Sequence, residues 1–243
     1  VLTHGKGALL WDINGKEYID CASSYGVAAL GHCHSKIVEA LKAQVENLIT
    51  CHSCYYNDKR AEFIEKLVKI TPKGLDKAFL SNSGAETVEC AIKLARKATG
   101  KTEIIGLMGA FHGKTMGALS LTWDKKYREP FQPLIPDIKH VAPDNPDKIR
   151  EAITDKTAAV IIEPIRGEGG VRVPPNGYLP EVREICNEKG ILLIFDEVQS
   201  SFGRTGKLFA CQNWNVTPDV MCLAKPFAGG LPIGITIARE DIM

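Results

Sequence analysis

Two residues of this chain are placed for chemistry by the runs that precede them. The apolar stretch Ile191–Phe195 stops at two carboxylates, Asp196 and Glu197, and a second run, Val220–Ala224, stops at Lys225. A short continuous apolar run reads as a strand buried on both faces. In open α/β sheets, ligands sit just outside the carboxyl ends of the strands. An acid and an amine are therefore expected to face one crevice. A lysine at the end of a buried strand is partly desolvated, which lowers its pKa and makes the amine nucleophilic. A carboxylate beside it can hydrogen-bond a cationic ring nitrogen and keep it protonated. Each residue has a plainer alternative, a solvated lysine or an acid that braces a loop.

A third feature is Ser83-Gly84-Ala85, between a short strand at Ala78–Leu80 and a long helical pattern ending at Gly100. Unsatisfied backbone N–H groups at a helix start attract phosphate. Glu86, three residues after Ser83, makes an ordinary capping box an equal reading. Neither the Walker pattern nor GxGxxG is present, so a nucleoside triphosphate or dinucleotide is not indicated. In Gly109–Thr115, Phe111 offers a flat face for stacking. His112 reads as a loop histidine held by hydrogen bonds in preference to a direct acid or base. A phosphate cradle, a strand-end aspartate and a strand-end lysine are together what pyridoxal phosphate needs of a protein.

The elements that must position these residues follow from the rest of the pattern. Asn14-Gly15 between apolar alternations predicts a hairpin in a small N-terminal β arm. Apolar spacing predicts helices over 36–48 and 59–70. Beyond residue 76, strands at 78–80, 103–108, 139–142, 158–162, 191–195, 220–224 and 233–238 alternate with helices. The expected fold class is α/β with a mainly parallel sheet and flanking helices. The division is 1–55, arm and small-domain segment, and 56–243, large cofactor-binding domain. At 243 residues, with a net charge of +1, the chain has no electrostatic case for nucleic acid or an anionic membrane. No apolar run reaches the ~20 residues of a membrane helix, and no signal peptide is read, so a cytoplasmic location is expected. Eight cysteines are expected to be reduced, several of them in buried segments. Cys51-His52-Ser53-Cys54, with His32, Cys33 and His34, supplies half of a zinc site without a clear second ligand pair, so no metal is expected.

The runs SNSGAETVECAIKLAR, GAFHGKT, EPIRGEGG, LLIFDEVQ, FGRTG and PDVMCLAKPFAGGLPIG, in this order, resemble the class III aminotransferases of the aspartate-aminotransferase fold (fold type I). The resemblance spans almost the whole chain and is strongest to the acetylornithine branch. LSLTWDKKYREPFQPL resembles enzymes acting on lysine or ornithine attached to an amino-group carrier protein. The resemblance implies roles by position. Lys225 is the Schiff-base lysine and proton shuttle, and Asp196 the partner of the pyridine nitrogen. Gln199 contacts the ring oxygen. Val198 and Phe111 cover the ring faces, and Ser83, Gly84 and Ala85 form the phosphate cup. Glu168 helps choose between amine donor and dicarboxylate acceptor, and Glu163 stands behind the site. Lys114, Glu168 and Tyr25 are expected on the substrate side.

Departures from the family pattern bear on these roles. Lys114 stands where an arginine is common, keeping the charge and losing the bidentate fork. Ser201, Arg166 and Ser35 replace glycine, glutamine and proline. Pro226 directly follows Lys225 and is expected to restrict it to extended backbone. The resemblance also implies sequence beyond Met243, carrying a small C-terminal domain, an acceptor-binding arginine and a threonine reaching a neighbouring subunit. The start at Val1 fits a fragment or processed chain. The expected activity is transfer of the terminal amino group of an N-protected ornithine or lysine to 2-oxoglutarate, in arginine or lysine biosynthesis, by a homodimer that also meets a carrier protein. Alternatives are an ω-aminotransferase acting on 4-aminobutyrate or a similar amine, and an inactive fragment.

Overall fold

The computed structural model describes residues 1–243. Its N-terminal part is a three-stranded antiparallel sheet of β1 (Leu2–Lys6), β2 (Leu9–Asp12) and β3 (Glu17–Ile19). The expected hairpin is β2–β3. The Asp12 carboxylate accepts from the N–H groups of Asn14 and Lys16 at 2.9 and 3.0 Å, and Gly15 takes the positive φ that the turn requires. A left-handed turn follows at Ser23–Gly26, with φ of 50°, 49°, 56° and 90°. Next come α1 (Ser35–Val45) and α2 (Asp58–Ile70), the latter capped by the Asn57 side chain accepting from the Arg60 N–H at 2.8 Å.

The body alternates strands and helices: β4 (Lys77–Ser81), α3 (Gly84–Thr99), β5 (Glu103–Leu107), α4 (Met116–Leu121), α5 (Lys125–Arg128), β6 (Ile138–Val141), α6 (Pro146–Ala152), β7 (Thr157–Ile162), α7 (Tyr178–Lys189), β8 (Leu192–Asp196), β9 (Val220–Leu223) and β10 (Gly234–Ala238). They build a seven-stranded sheet in the order β4-β10-β9-β8-β7-β5-β6. Strands β9, β8, β7, β5 and β6 pair in parallel, and β10 runs antiparallel to both its neighbours. The sheet is thus mainly parallel, as expected for this fold class.

Strand alternation sends successive residues to opposite faces. Leu193 and Phe195 of β8 join α7 residues Leu179, Val182 and Ile185 in one core layer. Ile194 joins α3 residues Val88, Ala91, Ile92 and Ala95 in the other. With helices on both faces, the sheet's faces are covered and the strands' carboxyl ends stay open. Asp196, which ends β8, and Lys225, two residues beyond β9, arrive at that open end. No helix is long and apolar enough to cross a membrane.

Candidate active site

A cavity of about 380 Å³ opens at the carboxyl ends of β7, β8 and β9. Ser83, Gly84 and Ala85 at the start of α3 line it, as do Phe111, His112, Glu163, Glu168, Asp196, Val198, Gln199 and Lys225. Nine of the eleven residues expected at the site therefore meet in one cavity.

The two neighbouring carboxylates diverge because they leave the strand end on opposite sides. Asp196 faces the cavity. Its Oδ2 lies 2.7 Å from His112 Nδ1 and its Oδ1 accepts from the Val198 N–H at 3.0 Å. Burial alone would depress His112, but the Asp196 contact outweighs it and holds the imidazole above its ordinary range. Glu197 turns inward. It is fully buried and accepts from the N–H groups of Ala210 and Cys211 at 2.6 and 2.8 Å, while burial pushes its carboxyl upward. Its geometry is that of a brace for the turn at residues 210–213.

Lys225 is half-buried. Burial pulls its amine below the ordinary lysine range, opposed by Asp196, Glu168 and Glu163 and aided by Arg204. The expectation of an extended backbone here is wrong: Lys225 has φ 37°. The Ala224 carbonyl accepts from the Phe227 N–H at 3.2 Å, so a one-turn helix begins at the lysine with Pro226 at its start, where proline's fixed φ fits. Phe227 then packs on Phe202, ring centroids 4.7 Å apart. Tertiary packing overrides the preference of a residue before proline.

Ser83 forms the capping box, and its hydroxyl also donates to Glu86 Oε2 at 3.1 Å. Its hydroxyl accepts from the Glu86 N–H at 3.2 Å, and Glu86 Oε2 accepts from the Asn82 N–H at 2.7 Å, which is the capping box. The N–H groups of Gly84 and Ala85, the first two residues of the 16-residue α3, donate to no protein atom and face the cavity. Glycine is required at 84 by a close approach, since a Cβ there would lie 2.8 Å from Val198 Cγ1. The tightest approach is at Gly167, where a Cβ would stand 1.5 Å from Gln199 Oε1. Gln199 is further held by Nε2 donating to the Tyr25 carbonyl at 3.3 Å.

Two expected residues lie apart from the cavity. Lys114 is exposed, with its ammonium 5.5 Å from the Tyr127 ring centroid. Tyr25 is exposed on the left-handed turn and lines a neighbouring groove of about 610 Å³. Glu168 and Gln199 border both spaces. The spacing did not reveal that His112 holds Asp196, because the two are 84 positions apart. The loop Gly230–Ile233, which closes one wall, was also not anticipated; its Gly-Gly signal was visible, but not its fold back over the site. Cys51 and Cys54 are free thiols, and no three His, Cys, Asp or Glu side chains group as metal ligands.

These residues fit pyridoxal phosphate. Free N–H groups at a helix start, a buried aspartate and a desolvated lysine, all lining one cavity, match its phosphate, ring nitrogen and carbonyl carbon.

Residues 1–243 match the family described as aminotransferase class-III. The acetylornithine aminotransferase of Methanopyrus kandleri is 55% identical over 241 residues, which cover 99% of this chain and 62% of the relative. The [LysW]-aminoadipate semialdehyde transaminase of Deinococcus radiodurans is 49% identical over 244 residues, covering 100% of this chain and 57% of the relative. Among solved structures, an (S)-enantioselective omega-transaminase from Thermomicrobium roseum superimposes with a TM-score of 0.96 at 32% identity, covering 100% of this chain and 61% of that one. The chain spans about three fifths of the length of the curated relatives it matches.

Proposed function

The chain belongs to the class-III aminotransferases, and on that premise we propose that it serves a transaminase moving the terminal amino group of an N-protected ornithine or lysine to 2-oxoglutarate. The observation that carries this reading is the convergence of Lys225, Asp196 and the free N–H groups of Gly84 and Ala85 on one cavity. Relatives named for acetylornithine and for a LysW-linked semialdehyde support the donor class, and the latter supports a carrier protein as an additional partner. A homodimer is part of the same reading.

When bound, pyridoxal phosphate supplies an electron sink that acidifies the C–H bond beside an amine. The chain's residues do the rest. Asp196 stays aimed because His112 and the Val198 N–H fix its two oxygens, and its charge keeps a ring N–H protonated. Lys225 gives up its proton more readily than a surface lysine, so its Nζ serves as nucleophile and base. Gly84 and Ala85 would hold the cofactor's phosphate through backbone N–H groups. Phe111, Val198 and Gln199 line the same cavity and would hold its ring.

Lys225→Ala tests the reading. Transamination between N-acetylornithine and 2-oxoglutarate should fall at least about a hundredfold, and the long-wavelength band seen on adding pyridoxal phosphate should vanish. A variant that keeps the band sinks the assignment. The TM-score of 0.96 to an omega-transaminase favours a second reading, with a free ω-amine as donor. Faster turnover of 4-aminobutyrate than of acetylornithine would select it.

A further inference from the structure

Glu163 immediately follows β7 and is buried beneath the cavity, yet no hydroxyl, ammonium or guanidinium partners it. Its two oxygens are taken by two separate loops. Oε1 accepts from the Phe111 N–H at 2.9 Å, and Oε2 accepts from the Gly167 N–H at 3.1 Å. The first loop carries the ring-facing Phe111 and His112, and the second carries Glu168 between the cavity and the neighbouring groove. We propose that Glu163 is a positioning residue, a single carboxylate clamp that holds the Phe111 loop and the Gly167–Glu168 loop in one arrangement.

A carboxylate is the one side chain of this length with two acceptor oxygens and no donor. Glutamine keeps one acceptor and turns an NH₂ toward the other N–H. Alanine frees both. The clamp acts in the ionised state, and its neighbours set when that state holds. Glu163 is raised to about 7 on balance: burial raises it most, His112 lowers it, Asp196 raises it, and the two backbone N–H groups lower it. Lys225, two residues beyond β9, senses Glu163 across the cavity, which Glu168 also lines. The clamp should therefore tighten as pH rises through about 7.

The inference rests on the reading that this cavity is the active site, but its test does not need turnover. Amide hydrogen exchange is followed by NMR in the cofactor-free protein, corrected for intrinsic base catalysis. In Glu163→Gln, one of the Phe111 and Gly167 amides should exchange about tenfold faster or more, and in Glu163→Ala both should. The Val160 and Ile194 amides in β7 and β8 should be unchanged. Protection of the two loop amides in the wild type should rise through about pH 7, and this dependence should be absent in Glu163→Gln. Unchanged loop amides in Glu163→Gln, or equal acceleration at Val160 and Ile194, would overturn the clamp. With pyridoxal phosphate bound, Glu163→Gln should raise KM for donor and acceptor together. Loss of turnover with unaltered exchange would leave the enzyme reading standing and remove the clamp.

Discussion

At the scale of single residues, the site is built from pairs in which each member decides the other's state. His112 and Asp196 are the clearest case. Burial would keep the imidazole neutral, and the Asp196 carboxylate 2.7 Å away reverses that. His112 is therefore expected to titrate at lower pH in Asp196→Asn than in the wild type, which an imidazole NMR titration reads directly. The stability sign follows from linkage. A histidine whose folded pKa is raised above its unfolded value of about 6.5 contributes stability that is fully present below that value and lost as pH rises through the folded pKa. Asp196→Asn should flatten that loss in urea titrations across the window. Gly234 offers a steric counterpart. An added Cβ would stand 2.3 Å from the Ser83 carbonyl oxygen, whereas one at Gly177 would meet nothing within 4 Å. Gly234→Ala should cost about 1–3 kcal/mol of unfolding free energy, and Gly177→Ala should stay within about 0.5 kcal/mol. Equal midpoints in urea for the two variants would contradict this packing.

At the scale of elements, legibility followed the strength of the local signal. Runs such as Ile191–Phe195 announced strands because buried parallel strands must be apolar on both faces. Gly100 and Gly190 marked the ends of α3 and α7, and both take left-handed φ there, 69° and 61°. The same double burial hid strand direction: β10 is as apolar as its neighbours yet runs antiparallel to them. Helix α4 escaped notice because Gly117–Leu121 are all buried, leaving no polar face to set a period. The left-handed turn at Ser23–Gly26 escaped because three of its residues have side chains that disfavour positive φ. The start of α3 joins element to site. Ser83→Ala removes the cap, at a cost of about 1 kcal/mol, but leaves the N–H groups of Gly84 and Ala85 in place. Thermal unfolding of the cofactor-free variant should show the loss. Phosphate affinity should weaken far less than with a proline at position 85, which deletes one of those N–H groups.

At the scale of the whole molecule, local patterns could place Asp196, Lys225 and the helix start together because all three close or follow strands that end on the same side of one sheet. They could not place Lys114 or Tyr25, whose positions depend on how surface loops fold back. From the last residue of α1 to the approach of α2, Val45, Leu48, Ile49, Tyr55 and Tyr56 are all exposed, Ile49 at 82% and Tyr56 completely. Isolated exposed apolar residues are ordinary, whereas five within twelve positions concentrate apolar area on one segment that a partner would cover. A second copy of the chain is the occupant that the homodimer reading assigns to it. Ile49→Asp with Tyr56→Asp places two charges in such an interface, and desolvating unpaired charges is costly. The double variant should therefore shift sedimentation equilibrium toward monomer by at least about tenfold in dissociation constant. Because neither side chain packs in the core, its urea midpoint measured as monomer should match that of the parent. An unchanged dimer would move the interface elsewhere on the surface, and a parent that sediments as a monomer at all concentrations would remove the homodimer from the reading.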